Sequence, residues 1–105
     1  MKLYRGLRED SCKVTVIDGD GKSYDLPPRL DLKSHTPDGT FEWGYRGSGP
    51  SQLALAIVAD VIKDKDGKCD DAYVLSVYAQ VRDLLIARLP LNDWTLSEPE
   101  IREFC

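Results

Sequence analysis

At 105 residues, 42% hydrophobic and 30% charged, the chain can build one hydrophobic core without disulfides or metal and is too apolar for disorder. Its net charge of −4 arises wholly after residue 50, where six Lys/Arg face ten Asp/Glu, against eight of each before it. Such an acidic chain does not gather phosphate backbones at a distance, so sequence-specific nucleic-acid binding is not expected.

The elements follow in chain order. Leu3, Arg5 and Leu7 alternate with Tyr4, Gly6 and Arg8 as in a short strand, with no apolar leader after Met1. Lys13–Ile17 is β-branched at four of five positions and predicts a stronger strand. Asp18-Gly19-Asp20-Gly21 has hairpin-turn chemistry, Ser23–Leu26 is the returning partner, and Pro27-Pro28 ends it. A polar loop runs to Gly39. Thr40–Tyr45 then reads as a strand whose alternate aromatics, Phe41, Trp43 and Tyr45, share one face.

From about Pro50 to Lys63 the chain predicts a helix with almost no polar face, hence buried on most sides, with Ser48 or Gly49 as its N-cap. Asp60, its one interior charge, then needs a partner. The segment Leu53–Ala59 is the longest apolar run and is far too short to span a bilayer. Val74, Val77, Tyr78, Val81, Leu84, Leu85 and Leu89 recur at helical spacing and predict a second, amphipathic helix over 71–89, stopped by Pro90. Trp94 and Leu96 suggest a short extended piece, and Ser97 with Glu100 forms a capping box ahead of a terminal helix, 98–103. The fold class expected is α+β: one domain over 1–105, with a small antiparallel sheet packed against a buried helix, a longer amphipathic helix and a short C-terminal helix.

The candidate site is the start of the buried helix. In Gly47-Ser48-Gly49-Pro50 the glycines allow close backbone approach, Pro50 presets the first turn, and the first amides lack intrahelical partners. Such a loop can take an anion, with Arg46 adding a charge-assisted contact. It carries neither a nucleotide-hydrolase nor a dinucleotide fingerprint. His35, the one histidine, together with Asp38 and Ser48, contains the residue types of a hydrolytic relay, but without the Gly-x-Ser-x-Gly elbow. Asp64, Asp66, Asp70 and Asp71 fail the calcium-loop pattern, since its sixth and twelfth positions fall on Cys69 and Leu75. Cys12, Cys69 and Cys105 have no metal-ligand spacing, so three reduced thiols and a cytoplasmic location are expected.

The run Phe41-Glu42-Trp43-Gly44-Tyr45-Arg46-Gly47-Ser48-Gly49-Pro50-Ser51-Gln52-Leu53-Ala54-Leu55-Ala56 resembles the hallmark GY-x-GSGP-x-QLALA of an uncharacterised family of small domains encoded by bacteria, archaea and phages. The resemblance spans roughly residues 30–97. Arg46 stands where such domains often have Gly, and Ser51 where they have Ala. The resemblance singles out His35, Trp43, Gly47, Ser48, Gly49, Pro50 and Gln52 but assigns them no role. The reading is a non-enzymatic binding module without cofactor, metal or membrane, taking a protein partner or small anionic ligand through His35, Trp43, Arg46, Gly47, Ser48, Gly49 and Gln52. The alternatives are a phage or mobile-element accessory protein that inhibits a host defence system and a small hydrolase using Ser48 and His35.

Overall fold

The computed structural model describes residues 1–9, 12–63 and 68–105. Strands β1 (Leu3–Leu7), β2 (Lys13–Ile17), β3 (Ser23–Asp25) and β4 (Trp94–Ser97) form one antiparallel sheet in the order β3-β2-β1-β4. Helices α1 (Ser48–Ile62), α2 (Asp71–Leu84) and α3 (Glu98–Arg102) complete the α+β fold, with a 3₁₀ turn at Ile86–Arg88. The β2–β3 turn is held by the Asp18 carboxylate, which accepts from the amides of Asp20 and Lys22 at 2.9 and 3.1 Å.

Strand alternation sorts the sheet. Tyr4 and Gly6 of β1, Val14 and Val16 of β2, and Trp94 and Leu96 of β4 face the core. The register places Tyr4 between Val16 and Leu96, and Gly6 between Val14 and Trp94. The extended piece expected near Trp94 is thus a full sheet member beside β1. Its outer edge is shortened by the Ser97–Glu100 capping box, in which the Ser97 amide donates to Glu100 at 3.1 Å.

The segment 40–45 is not a strand. Phe41 and Trp43 enter the core as an apolar alternation requires, but the place beside β1 belongs to β4. The segment meets its donors elsewhere: Trp43 N–H bonds the Glu42 carboxylate at 3.1 Å and Gly44 N–H bonds Ile86 C=O at 3.0 Å. Tyr45 leaves the shared face and is exposed. The second helix also ends sooner than its apolar spacing suggests. After Leu84 the chain tightens into i→i+3 bonds, Arg88 to Leu85 and Leu89 to Ile86, which carry Ile86 into the core and leave Leu84 on the surface. Asp70 is the N-cap of α2, accepting from Tyr73 N–H at 3.1 Å; Asp64 and Asp66 lie outside the described residues.

Helix α1 occupies the centre. Its apolar composition carries it inward, and thirteen of its fifteen residues are buried. It packs against α2 on one side and reaches the sheet through Asp60, which is 4% exposed. Tyr4 and Tyr24 hydroxyls donate to the two Asp60 oxygens at 2.6 and 2.7 Å, and the ammonium groups of Lys2 and Lys63 lie at 3.1 and 3.0 Å. One carboxylate thereby joins β1, β3 and both ends of the 1–63 stretch. Burial alone raises the Asp60 pKa, but these four donors outweigh it and hold the carboxyl below its ordinary value. Asp60 is a stronger acid folded than unfolded, so its contribution is complete above the unfolded value of about 3.9 and is lost as pH falls through the lower folded value. Asp60→Asn should lower stability at neutral pH by about 3 kcal/mol, the low end for breaking a buried pair because both lysines stay partly solvated. Urea midpoints measured from neutral to acid pH should fall less steeply for the variant than for the wild type; parallel curves would remove Asp60 from the acid limb.

Candidate functional site

The residues flanking the start of α1 divide into a buried set and an exposed set. Trp43 is fully buried, its indole N–H donates to Asn92 C=O at 2.8 Å, and its ring meets Trp94 edge-on at 5.5 Å between centroids. Arg8 sits 4.9 Å above the Trp43 ring, holds Glu42 through two bonds of 3.0 and 2.7 Å, and reaches Leu91 C=O with Nε. The Arg8 guanidinium is the largest influence holding the Glu42 pKa down, ahead of burial, which opposes it. Gly49 lies against Glu42: a Cβ there would stand 2.6 Å from the Glu42 Cβ, so no larger residue fits. Gly44 turns the chain at φ +85°, a left-handed conformation that favours glycine.

Gln52 is fully buried in α1 and spends its whole amide on the 28–35 loop. Its Oε1 accepts from His35 N–H at 2.7 Å, and its Nε2 donates to Pro28 and Lys33 carbonyls at 2.6 and 3.2 Å. The His35 ring lies 2.9 Å from the Tyr78 hydroxyl on α2. Burial, then the charges of Lys33 and Arg82, lower the His35 pKa and favour the neutral imidazole. His35 and Gln52 are brought together as a fastening between the loop and α1. His35 turns to Tyr78, and Asp38 turns to Thr40 at 2.5 Å; neither is hydrogen-bonded to Ser48.

The helix mouth itself is capped by Gly47, one residue earlier than its chemistry suggests, with no side-chain cap. Pro50 supplies no donor, Ser51 N–H bonds Gly47 C=O at 3.0 Å, and Gly49 is buried. Ser51 Oγ donates to the same Gly47 carbonyl at 2.7 Å and accepts from Arg82 at 3.1 Å. What remains on the surface is Tyr45, Arg46 and Ser48. Tyr45, 47% exposed, lies over Gly47, and Leu91, 60% exposed, lies over Gly44. Arg8, Arg82, Asp83 and Leu91 complete this region without any sequence signal, since they approach it from elements distant in the chain, whereas Glu42 belongs to the 41–56 run itself. Of the predicted residues, then, His35, Trp43, Gly49 and Gln52 are spent internally, Gly47 is the partly buried cap, and Arg46 and Ser48 face outward.

Among the described residues, no group of three or more His, Cys, Asp or Glu is arranged to hold a metal ion, and no helix is long and apolar enough to cross a membrane. A groove of about 340 Å³ opens elsewhere, floored by Val14, Leu26 and Phe41, and none of the predicted site residues lines it.

A family model matches residues 4–105, from β1 to the last residue. The chain belongs to the DUF6166 family, a family of unknown function. The match extends to the first strands, beyond the span that the 41–56 run suggests. No curated protein and no solved structure matches this DUF6166 chain.

The division into buried and exposed residues is open to measurement. Gln52→Ala would strand the His35 amide and two loop carbonyls, each at about 1–3 kcal/mol if water cannot reach it. Its thermal midpoint should fall well below that of Arg46→Ala, which should unfold with the wild type. Equal midpoints for the two variants would contradict the division.

Proposed function

We propose that this DUF6166 domain is a non-enzymatic binding module that takes a protein partner on the face formed by Tyr45, Arg46, Ser48 and Leu91. One observation carries the reading: beside a helix start that is otherwise largely buried, Tyr45 over Gly47, Arg46 next to it in the chain and Leu91 over Gly44 all keep their side chains exposed. Tyr and Arg are enriched at the centres of protein interfaces because each offers large contact area with a polar tip. Two exposed apolar side chains beside rigid, close-packed backbone also present a surface that need not reorganise on binding. The small-anion version has less support, because Pro50 removes one first-turn donor and Gly49 is buried. Cys12, Cys69 and Cys105 are all free thiols, which suits a module working in the reducing cytoplasm.

The test is affinity capture with paired variants. The immobilised domain should retain a stoichiometric protein partner that the double variant Tyr45→Ser/Leu91→Ser loses and that Leu75→Ser, altered at an exposed leucine on α2, keeps. All three proteins should unfold at similar temperature. A partner held equally by the double variant, or no stoichiometric partner at all, would overturn the reading.

A further inference from the structure

The charge pattern on this face narrows the chemistry of the partner. Asp83 gives both carboxylate oxygens to Arg82, at 2.8 and 3.3 Å. Arg82 in turn donates to Ser51 Oγ, so its guanidinium is committed within the fold. Arg46 approaches the same carboxylate only at 3.6 Å, beyond hydrogen-bond length, and its side chain is 73% exposed. Two guanidiniums thus share one carboxylate that is already engaged by the other partner. Arg8, Arg29 and Arg102 differ: each has a carboxylate within 3.0 Å. Arg46 keeps most of its five N–H donors facing water in a planar fork suited to carboxylates.

We propose that the partner docks an acidic segment here, its carboxylate paired with Arg46 and its apolar side chains against Tyr45 and Leu91. This inference rests on the protein-binding reading above. The net charge of −4 opposes an acidic partner at long range. At a physiological Debye length of about 8 Å, however, the docked segment feels chiefly Arg46 and the neighbouring pairs Arg82–Asp83 and Arg8–Glu42, whose charges offset each other. Nucleic acid fits the face less well, because its affinity is built from many neutralised phosphates and the one spare guanidinium on this face offers few. A segment with carboxylates and apolar groups instead uses the charge and the two exposed side chains together.

The experiment titrates the isotope-labelled domain with four probes: a short peptide of alternating glutamate and leucine, the same peptide with glutamine for glutamate, inorganic phosphate, and oligothymidine. The glutamate peptide should shift the amides of Tyr45–Ser48 and the Arg46 side-chain Nε. The glutamine peptide should bind about tenfold more weakly, a difference of ~1.4 kcal/mol. Added salt should weaken the first and spare the second. Arg46→Ala and Arg46→Glu should lose the difference between the two peptides while unfolding with the wild type. Equal binding of the two peptides, a difference that survives Arg46→Glu, or no shift with the glutamate peptide would overturn the acidic assignment. Phosphate or oligothymidine shifting the same amides while the peptide does not would overturn it in favour of a small-anion or nucleic-acid site. The protein-binding reading is judged separately, by whether Tyr45→Ser/Leu91→Ser releases the captured partner.

Discussion

A helix with no face to water must find all its polar partners inside the protein, and α1 meets that constraint with three side chains. The hydrophobic effect drives the burial of its leucines, alanines and valines but has no direction. Direction comes from the polar groups carried inward with them. Asp60 collects Lys2, Tyr4, Tyr24 and Lys63, and so fixes β1 and β3 against the C-terminal end of the helix. Gln52 collects His35, Pro28 and Lys33, and so fixes the loop that follows β3. Ser51 ties Gly47 to Arg82 and so joins the mouth of α1 to α2. Each is expensive to bury unpaired, so each specifies where a distant segment must lie.

This constraint bears directly on what the helix start can do. Most of the residues that make the 41–52 run distinctive are consumed in building it. Trp43 fills the core, Gly49 lets Glu42 pass, and Gln52 anchors a loop. The rigidity they supply is what holds Tyr45, Arg46 and Ser48 in fixed positions at the surface. The 41–52 run therefore combines two kinds of residue: many that turn inward to build the helix start and a few that stay on the surface.

Much of the fold is legible in the sequence because its signals are local. The β-branched run at 13–17, the Asp-Gly turn after it, the unbroken apolar run of α1 and the Ser97–Glu100 capping box each state their structure within a few residues. The need for partners at Asp60 is equally visible, although the identity of those partners is not. Segment 40–45 misleads because its alternation reports burial, and burial with period two does not require a ladder partner. The position beside β1 is filled by β4, which is more than eighty residues away in the chain. For the candidate site, the sequence marks the segment but not which of its residues turn inward. Only the spatial approach of Arg8 to Glu42, Arg82 to Ser51 and Leu91 to Gly44 separates inward residues from outward ones.

Native-state amide exchange at His35 tests the central claim most directly. Its N–H lies in a polar loop yet donates to the buried Gln52 side chain at 2.7 Å. If α1's polar side chains fasten the chain around it, the His35 amide should exchange as slowly as the amides of Leu53–Val61, through the same cooperative opening. Exchange of His35 at the rate of a solvated loop amide, with α1 still protected, would show that the helix is buried without organising its surroundings.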